Sequence, residues 1–186
     1  MIALIVIAAV ILVLGLWFFS IYNRLVSLGV SADEGESEID VQLKRRHDLI
    51  PNLVESVKGY ASHERSTFEH VTNARAAAVN ANGVAAQGAA EGELSQALGR
   101  LFAVAEAYPD LKANQNFLQL QGELTATEDR LQAARRFYNT TVKALNTACV
   151  TIPSKFVVPI ANVSQREFFE LDNPAEAAVP QVSFGS

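Results

Sequence analysis

Polar side chains are almost absent from the first 22 residues of the chain. The segment 1–22 reads MIALIVIAAVILVLGLWFFSIY, in which Ser20 is the one plainly polar side chain, and every charged side chain lies at or after Arg24. About 20 consecutive apolar residues in a helix are enough to cross the hydrocarbon core of a bilayer. The pattern therefore predicts a transmembrane helix. Trp17 and Tyr22 lie toward its end, where amphipathic rings favour the headgroup level.

A cleaved signal peptide is the alternative interpretation of this segment. It would need a basic region, a shorter apolar core and a small-residue cleavage site, and none of these is visible in residues 1–22. We therefore predict an uncleaved single-pass anchor. Lys and Arg follow the span and do not precede it, so the positive-inside rule favours a cytoplasmic location for the rest of the chain.

After a juxtamembrane connection over 23–38, the apolar positions repeat every seven residues from Ile39 to about Asn80. This spacing predicts one long amphipathic helix. Its main row consists of Leu43, Ile50, Val57, Val71 and Ala78. Pro51 has no amide hydrogen to donate, so we expect a kink or local opening there. Ser31 and Ser37 are candidate N-caps of this helix.

Two further helices are expected beyond a mobile connection. The stretch 76–92 is rich in Ala, Gly and Asn, which predicts turns with little apolar area. A shorter helix then follows from Leu94 to Tyr108, and Pro109 suits the first position of the next one. Pro153 ends that third helix, whose apolar row is spaced by seven: Phe117, Leu124, Leu131, Tyr138, Leu145 and Ile152.

These patterns together predict an all-α protein. Three amphipathic helices without the alternation of a sheet indicate an N-terminal transmembrane helix followed by an antiparallel helical bundle with long helices. The predicted domains are the anchor (1–22), the connection (23–38), the bundle (39–152) and C-terminal loops and tail (153–186). Within the tail we expect a helical turn near 165–171 and disorder after Asn173.

Composition narrows the classes of ligand. The chain has 20 acidic and 15 basic residues and a net charge of −5, which argues against nucleic acid because phosphate binding requires a basic surface. The single cysteine, Cys149, excludes an internal disulfide and a cysteine-built zinc site. It falls on the apolar stripe of the third helix, so we expect a buried, inert thiol.

No catalytic or metal motif stands out. The histidines lack the Glu-x-x-His arrangement of bundle metal sites, and the weak alternative of a pair formed by His63 and His70 is less favoured than two solvated side chains. Neither a GxSxG turn nor a phosphate-binding glycine loop occurs. We therefore predict no enzymatic activity, no metal and no cofactor.

Charged residues on or near the apolar stripes are the more informative polar groups. Glu64, Arg75, Glu128 and Arg135 hold such positions, and charges at partly buried positions need partners. We predict structural ion pairs between antiparallel helices; the alternative is that these long side chains reach solvent.

Lys44, Arg45 and Arg46 form the dense basic cluster of the chain. They are candidates for contact with anionic lipid headgroups, which attract cations. A solvated helix face is the simpler interpretation, because the cluster lies well beyond the span.

Several of these strings resemble the LemA family. They are YNRLV (22–26), IDVQLKRRHDLIPNLVESVKGYASHE (39–64), Ala74-Arg75, LSQALGRLFAVAEAYPDLKAN (94–114) and FLQLQGELTATEDRLQAARRFYN (117–139). The resemblance covers most of residues 20–160. Glu36-Ser37-Glu38 stands where the family usually has a small residue and a Trp, and the C-terminal end also departs from the usual pattern.

The resemblance implies a bacterial membrane protein with one N-terminal span, a helical bundle, and no established catalytic activity or cofactor. With the anchor and the stripes, it favours a structural or adaptor protein of the inner membrane that binds lipid through residues 1–22. Such a protein would form homo-oligomers or organise envelope partners that the sequence does not identify. The alternatives are a sensory or ligand-binding bundle using Glu64, Arg75, Glu128 and Arg135, and, least supported, a membrane-bound hydrolase.

Overall fold

The structure, a computed structural model, describes residues 1–170, which form six helices and no strand. The helices are α1 (Ile2–Lys58), α2 (Arg65–Asn80), α3 (Val84–Glu106), α4 (Pro109–Lys112), α5 (Gln115–Val150) and α6 (Ser154–Ala161). The all-α prediction is confirmed. The disorder expected after Asn173 lies outside the described residues.

The chain divides into two compact units. Unit 1 consists of Met1–Leu43 and Glu128–Phe168, and the described residues of unit 2 are 44–127 and 169–170.

Unit 1 is built from α1 up to Leu43, the greater part of α5, and α6. Its core next to the apolar segment of α1 is formed by Leu25, Ala148, Val157 and Ala161, with Phe18, Ile21 and Tyr22 among the partly buried side chains packed against it. Further along, α1 and α5 approach closely at a glycine. A Cβ at Gly35 would lie 3.2 Å from the Cα of Tyr138, so the absence of a side chain permits this spacing.

Unit 2 contains the end of α1, the helices α2, α3 and α4, and the first part of α5. Its apolar core draws on each of them through Ile50, Val57, Val71, Leu98, Leu111 and Leu124. The two predicted rows are largely correct. All five residues of the main row of the first predicted helix are buried. In the apolar row of the third predicted helix, which corresponds to α5, every residue except Ile152 is buried. Ile152 lies beyond the end of α5 at Val150.

The predicted connection over 23–38 is helical and belongs to α1, so Ser31 and Ser37 do not cap a helix. The reason lies in the spacing of Leu25, Ala32 and Ile39, which are all buried and seven residues apart. The apolar stripe therefore begins before residue 39 and holds this part of α1 against its neighbours in unit 1.

The single helix expected from Ile39 to Asn80 is instead two helices. Helix α1 continues through Pro51 and ends at Lys58, and α2 begins at Arg65. Gly59 follows the end of α1, where its large conformational entropy disfavours further helix. Ala61 is buried in the connecting turn and donates its amide to the carbonyl of Val57.

The mobile connection expected over 76–92 is also wrong. Helix α2 continues to Asn80 and α3 begins at Val84, leaving Ala81, Asn82 and Gly83 between them. Alanine has the highest helix propensity, and its small side chain lets α2 and α3 pack together. Gly83 has φ of 86°, a conformation that glycine adopts without steric cost.

After α5 the chain forms α6 where loops were expected. Pro153 precedes the helix, a position that proline tolerates, and Asn162 ends it in the left-handed conformation with φ of 52°. Residues 163–170 have no regular structure, so the described part of the helical turn expected near 165–171 is not helical.

Candidate functional site

A buried ionic cluster in unit 2 is the most distinctive polar feature of the described residues. Glu91 of α3 is 0% exposed and lies against two consecutive residues of α1. The Arg46 guanidinium donates a hydrogen bond from Nη1 to Oε2 of Glu91, and His47 donates from Nε2 to Oε1 at 2.6 Å. Each carboxylate oxygen therefore has a nitrogen partner.

Two more side chains complete this group, which we call the Glu91 cluster (Arg46, His47, Arg75, Glu91 and Ser95). Arg46 Nη2 donates to the Ser95 hydroxyl at 2.7 Å, and that hydroxyl donates to the Glu91 carbonyl at 2.9 Å. From α2, Arg75 Nε donates to the His47 carbonyl at 2.7 Å. The cluster therefore joins α1, α2 and α3.

The cluster keeps its carboxylate ionised. Burial raises the pKa of Glu91, but the hydrogen bond from His47 and the positive charge of Arg46 outweigh burial and hold the pKa below 4.5. The cost of burying this charge is offset by hydrogen-bonded partners. Because both carboxylate oxygens bond to protein groups, the arrangement suits holding three helices in register.

The structure corrects one sequence prediction here. Arg46, a predicted lipid-headgroup residue, has its side chain 2% exposed and paired with Glu91, so it is not available to lipid. Lys44 and Arg45 are exposed, and their contact with lipid stays a prediction. The three cations diverge because consecutive side chains on a helix point about 100° apart.

The other predicted ion-pair residues fall in different places. Arg75 belongs to the Glu91 cluster, although it bonds to a carbonyl and not to a carboxylate. Glu64 is half-buried at the start of α2. In unit 1, Glu128 is half-buried and Arg135 is buried. Pairing of Glu64 or Glu128 with either arginine stays a prediction.

Sequence reasoning missed His47 and Glu91. Glu91 lies in the stretch 76–92, whose composition predicts a mobile connection, and the sequence offers for His47 only the test for a metal-binding motif. A signal was nevertheless present, because Glu91 precedes Leu94 and Leu98 by three and seven residues, on the buried stripe of α3. A lone carboxylate on such a stripe requires a cationic partner.

A second polar group fixes the chain after α6 within unit 1. Arg166 pairs with Asp33 at 2.5 Å and with Glu36 at 3.3 Å. Asn146 donates from Nδ2 to the Arg166 carbonyl and accepts from its amide, and the Tyr138 hydroxyl donates to the Glu167 carbonyl. Burial and the nearby Glu36 carboxylate raise the pKa of Tyr138.

Metal and thiol chemistry find no support in the described part of the chain. Residues 1–170 contain no group of three or more His, Cys, Asp or Glu side chains able to hold a metal ion. His63 and His70 are exposed. Cys149 is buried, as predicted, and burial raises the pKa of its thiol, which disfavours the reactive thiolate.

The N-terminal part of α1 has the length and composition of a membrane span. An 18-residue window in this helix has a mean hydropathy of 3.1, and none of it is buried by protein. Among the described residues, α5 and α6 pass the same test only as one span bent by 108°. The exposed apolar surface of α1 indicates membrane anchoring.

Comparison with known proteins identifies a family and several relatives. The chain matches the model of the LemA family over residues 35–184. It is 26% identical over 180 residues to the magnetosome protein MamQ 2 of Paramagnetospirillum magneticum, with 83% of this chain and 66% of that protein covered. It is 28% identical over 145 residues to protein LemA of Metamycoplasma hominis, with 76% and 66% covered.

The chain therefore spans slightly less than two thirds of the length of these relatives. The family match, in contrast, extends over most of the chain and includes the Glu91 cluster. On that match, the protein belongs to the LemA family.

Proposed function

We propose that this protein is a non-enzymatic, membrane-anchored adaptor, whose helical domain self-associates or organises envelope proteins at the bacterial inner membrane. The observation that supports it most directly is the unbroken course of α1 from the exposed apolar segment into the packed core of unit 1. A domain attached in this way is held at the bilayer surface, where effective concentrations of partners are high.

Exposed apolar side chains on unit 1 provide a candidate surface for a second chain. Val30 and Val41 of α1 and Phe137 of α5 are each about half exposed. Aromatic side chains such as Phe137 are enriched at the centres of protein interfaces. The relatives named MamQ are described as magnetosome proteins, a name that states no reaction, which agrees with a non-enzymatic role.

Intact mass of the gently solubilised assembly tests this proposal. The tagged full chain is purified from native membranes, and the mass of the complex and its components is measured. We expect oligomers or stable co-purifying membrane proteins, and fewer of them in Phe137→Ser. Leu118→Ser, which removes an exposed apolar side chain of unit 2, serves as the matched control. Monomers alone, without partners, would contradict the adaptor role.

The cytoplasmic orientation is a separate part of the proposal. It is supported by Arg24, which directly follows the span, because positively charged residues beside a span favour the cytoplasmic side. Added protease is expected to cleave the helical domain in inverted vesicles and to leave it intact in right-side-out vesicles. The reverse result would place the domain outside the cytoplasm.

A sensory or ligand-binding bundle is the second candidate. It is favoured by a cavity of about 210 Å³ in unit 1 that is lined by Asp33, Asn162 and Arg166 as well as apolar side chains. If this cavity binds a small polar ligand, that ligand will raise the melting temperature of the wild type and not of Asp33→Ala. Equal shifts in both proteins would count against this site.

A further inference from the structure

A groove with two cations opens in unit 1 just after the apolar segment of α1. It has a volume of about 300 Å³ and is lined by Arg24 of α1 and Lys143 of α5. We call it the Arg24 groove; hydroxyl groups of Thr140, Thr147, Thr151 and Ser154 complete its polar lining. Within residues 1–170, neither cation is in an ion pair.

The hydroxyl groups differ in what they can offer a ligand. Thr147 and Thr151 donate to carbonyls of α5. The side-chain hydroxyls of Thr140 and Ser154 have no hydrogen-bond partner in the described part of the protein, so they can donate to a ligand. Two cations with hydroxyl donors are suited to a phosphate group, which carries negative charge and several acceptor oxygens.

Beside the groove, α6 presents an apolar face that is exposed among residues 1–170. Phe156 and Ile160 are 69% and 61% exposed and four residues apart, which places them on one side of the helix. The adjacent side of α6, with Val157 and Ala161, is buried in the core against which Phe18 of α1 packs. Helix α6 therefore packs at the end of the apolar segment of α1.

We propose that the Arg24 groove binds the phosphate of an anionic phospholipid while the exposed face of α6 lies in the bilayer interface beside it. A phospholipid presents its phosphate at the membrane surface and apolar chains below. The protein offers the complementary arrangement, with cations directly after the span and exposed apolar side chains next to them. This lipid contact differs from the one predicted at Lys44, Arg45 and Arg46, and it rests on the membrane anchor proposed above.

Lipid retention by the full chain tests the groove. The protein is reconstituted in vesicles of equal parts phosphatidylglycerol and phosphatidylcholine, extracted in a neutral detergent, and its bound lipid is measured by mass spectrometry. Retention of phosphatidylglycerol over phosphatidylcholine is expected. In Arg24→Gln/Lys143→Gln the affinity of the protein for phosphatidylglycerol should fall about 30-fold. This fall corresponds to about 1 kcal/mol for each cation.

Arg65→Gln/Arg100→Gln is the matched control, because it removes the same charge from two exposed residues of unit 2. It should retain phosphatidylglycerol like the wild type. Equal losses in both double variants, or no loss in the groove variant, would overturn the assignment. Circular dichroism of each variant checks that the helices are intact.

Inorganic phosphate distinguishes a lipid from a free anion. It is a phosphate anion like the headgroup but has no acyl chains to contact α6. We expect inorganic phosphate at the same concentration as phosphatidylglycerol to leave the bound lipid in place. Displacement at equal concentration would identify a free-anion site and overturn the lipid assignment.

The position of α6 is tested with a tryptophan reporter. Phe156→Trp is made together with Trp17→Phe, so that one fluorophore remains, since the chain has one Trp. Brominated lipid should quench the emission of this tryptophan and aqueous iodide should not, whereas quenching by iodide alone would contradict the interfacial position.

Alkaline extraction of the vesicles separates the membrane anchor from the lipid site in the groove. Release of the chain contradicts the anchor, while an anchored chain without lipid preference contradicts only the groove.

Discussion

His47 of α1 donates a hydrogen bond of 2.6 Å to the fully buried carboxylate of Glu91 on α3. Arg46, its neighbour in sequence, bonds to the other oxygen of the same carboxylate. Two consecutive residues of one helix therefore bind one residue of another. Rotation of α1 about its axis, or a slip along α3, would break both bonds, so the pair determines the register of these helices.

Replacement of Glu91 should destabilise unit 2. Glu91→Gln keeps the shape of the side chain but removes the negative charge that faces Arg46 and His47. We expect a loss of about 3 kcal/mol in the free energy of unfolding, since removal of one partner from a buried ion pair is strongly destabilising. Urea unfolding of the detergent-solubilised chain measures it. Glu93→Gln is the control on the exposed side of α3, and an equal effect there would contradict the role of burial.

The same carboxylate predicts a pH dependence. The pKa of Glu91 is below 4.5 in the folded protein, so ionisation stabilises the fold fully above that value. This contribution is lost as the pH falls through the lower folded pKa. The difference in unfolding free energy between wild type and Glu91→Gln should be largest at neutral pH and shrink in acid. A difference that is constant down to strongly acidic pH would contradict this linkage.

Replacement of glycine by alanine should have opposite effects on stability at Gly35, where α1 and α5 approach closely, and at Gly122, where there is space for a Cβ. Gly35→Ala puts a Cβ 3.2 Å from the Tyr138 backbone and should cost about 1–3 kcal/mol because the helices must separate. Gly122→Ala has no atom within 4 Å of its new Cβ and should stabilise α5 by about 0.5–1 kcal/mol. Thermal unfolding of both variants tests the contrast, and a neutral Gly35→Ala would contradict the tight packing.

Asn146 should control the order of the segment after α6. Its amide makes two hydrogen bonds to the backbone of Arg166, each worth about 1 kcal/mol. In Asn146→Ala, amide hydrogen exchange over 163–168 should therefore accelerate by about tenfold or more. Gln132→Ala changes an exposed residue of α5 and should leave that exchange unchanged. Unaltered exchange in Asn146→Ala would show that other contacts hold the segment.

Seven-residue spacing was sufficient to predict the buried faces of the helices. Leu43, Ile50 and Val57 are buried as expected, because a period near that of the α-helix places them on one side. The boundaries were less predictable. The stretch 76–92 has the composition of a flexible connection, yet alanine propensity and the packing of α2 against α3 make it helical but for three residues.

The polar sites depended on contacts between helices that are distant in sequence. Arg46 and Glu91 are 45 residues apart, and no local pattern states that they meet. Arg24 and Lys143 are likewise brought to one groove by the packing of α1 against α5. Spacing identified residues that need a partner, and only the three-dimensional structure supplies the partner.

The uninterrupted course of α1 has a mechanical consequence. No loop separates the apolar segment from Leu25, the first fully buried residue of unit 1. A transmembrane helix changes its tilt to match the thickness of the bilayer around it. Because α1 has no hinge at this point, unit 1 would lean with the span, and a change in membrane thickness would alter the angle at which its surfaces face the aqueous phase.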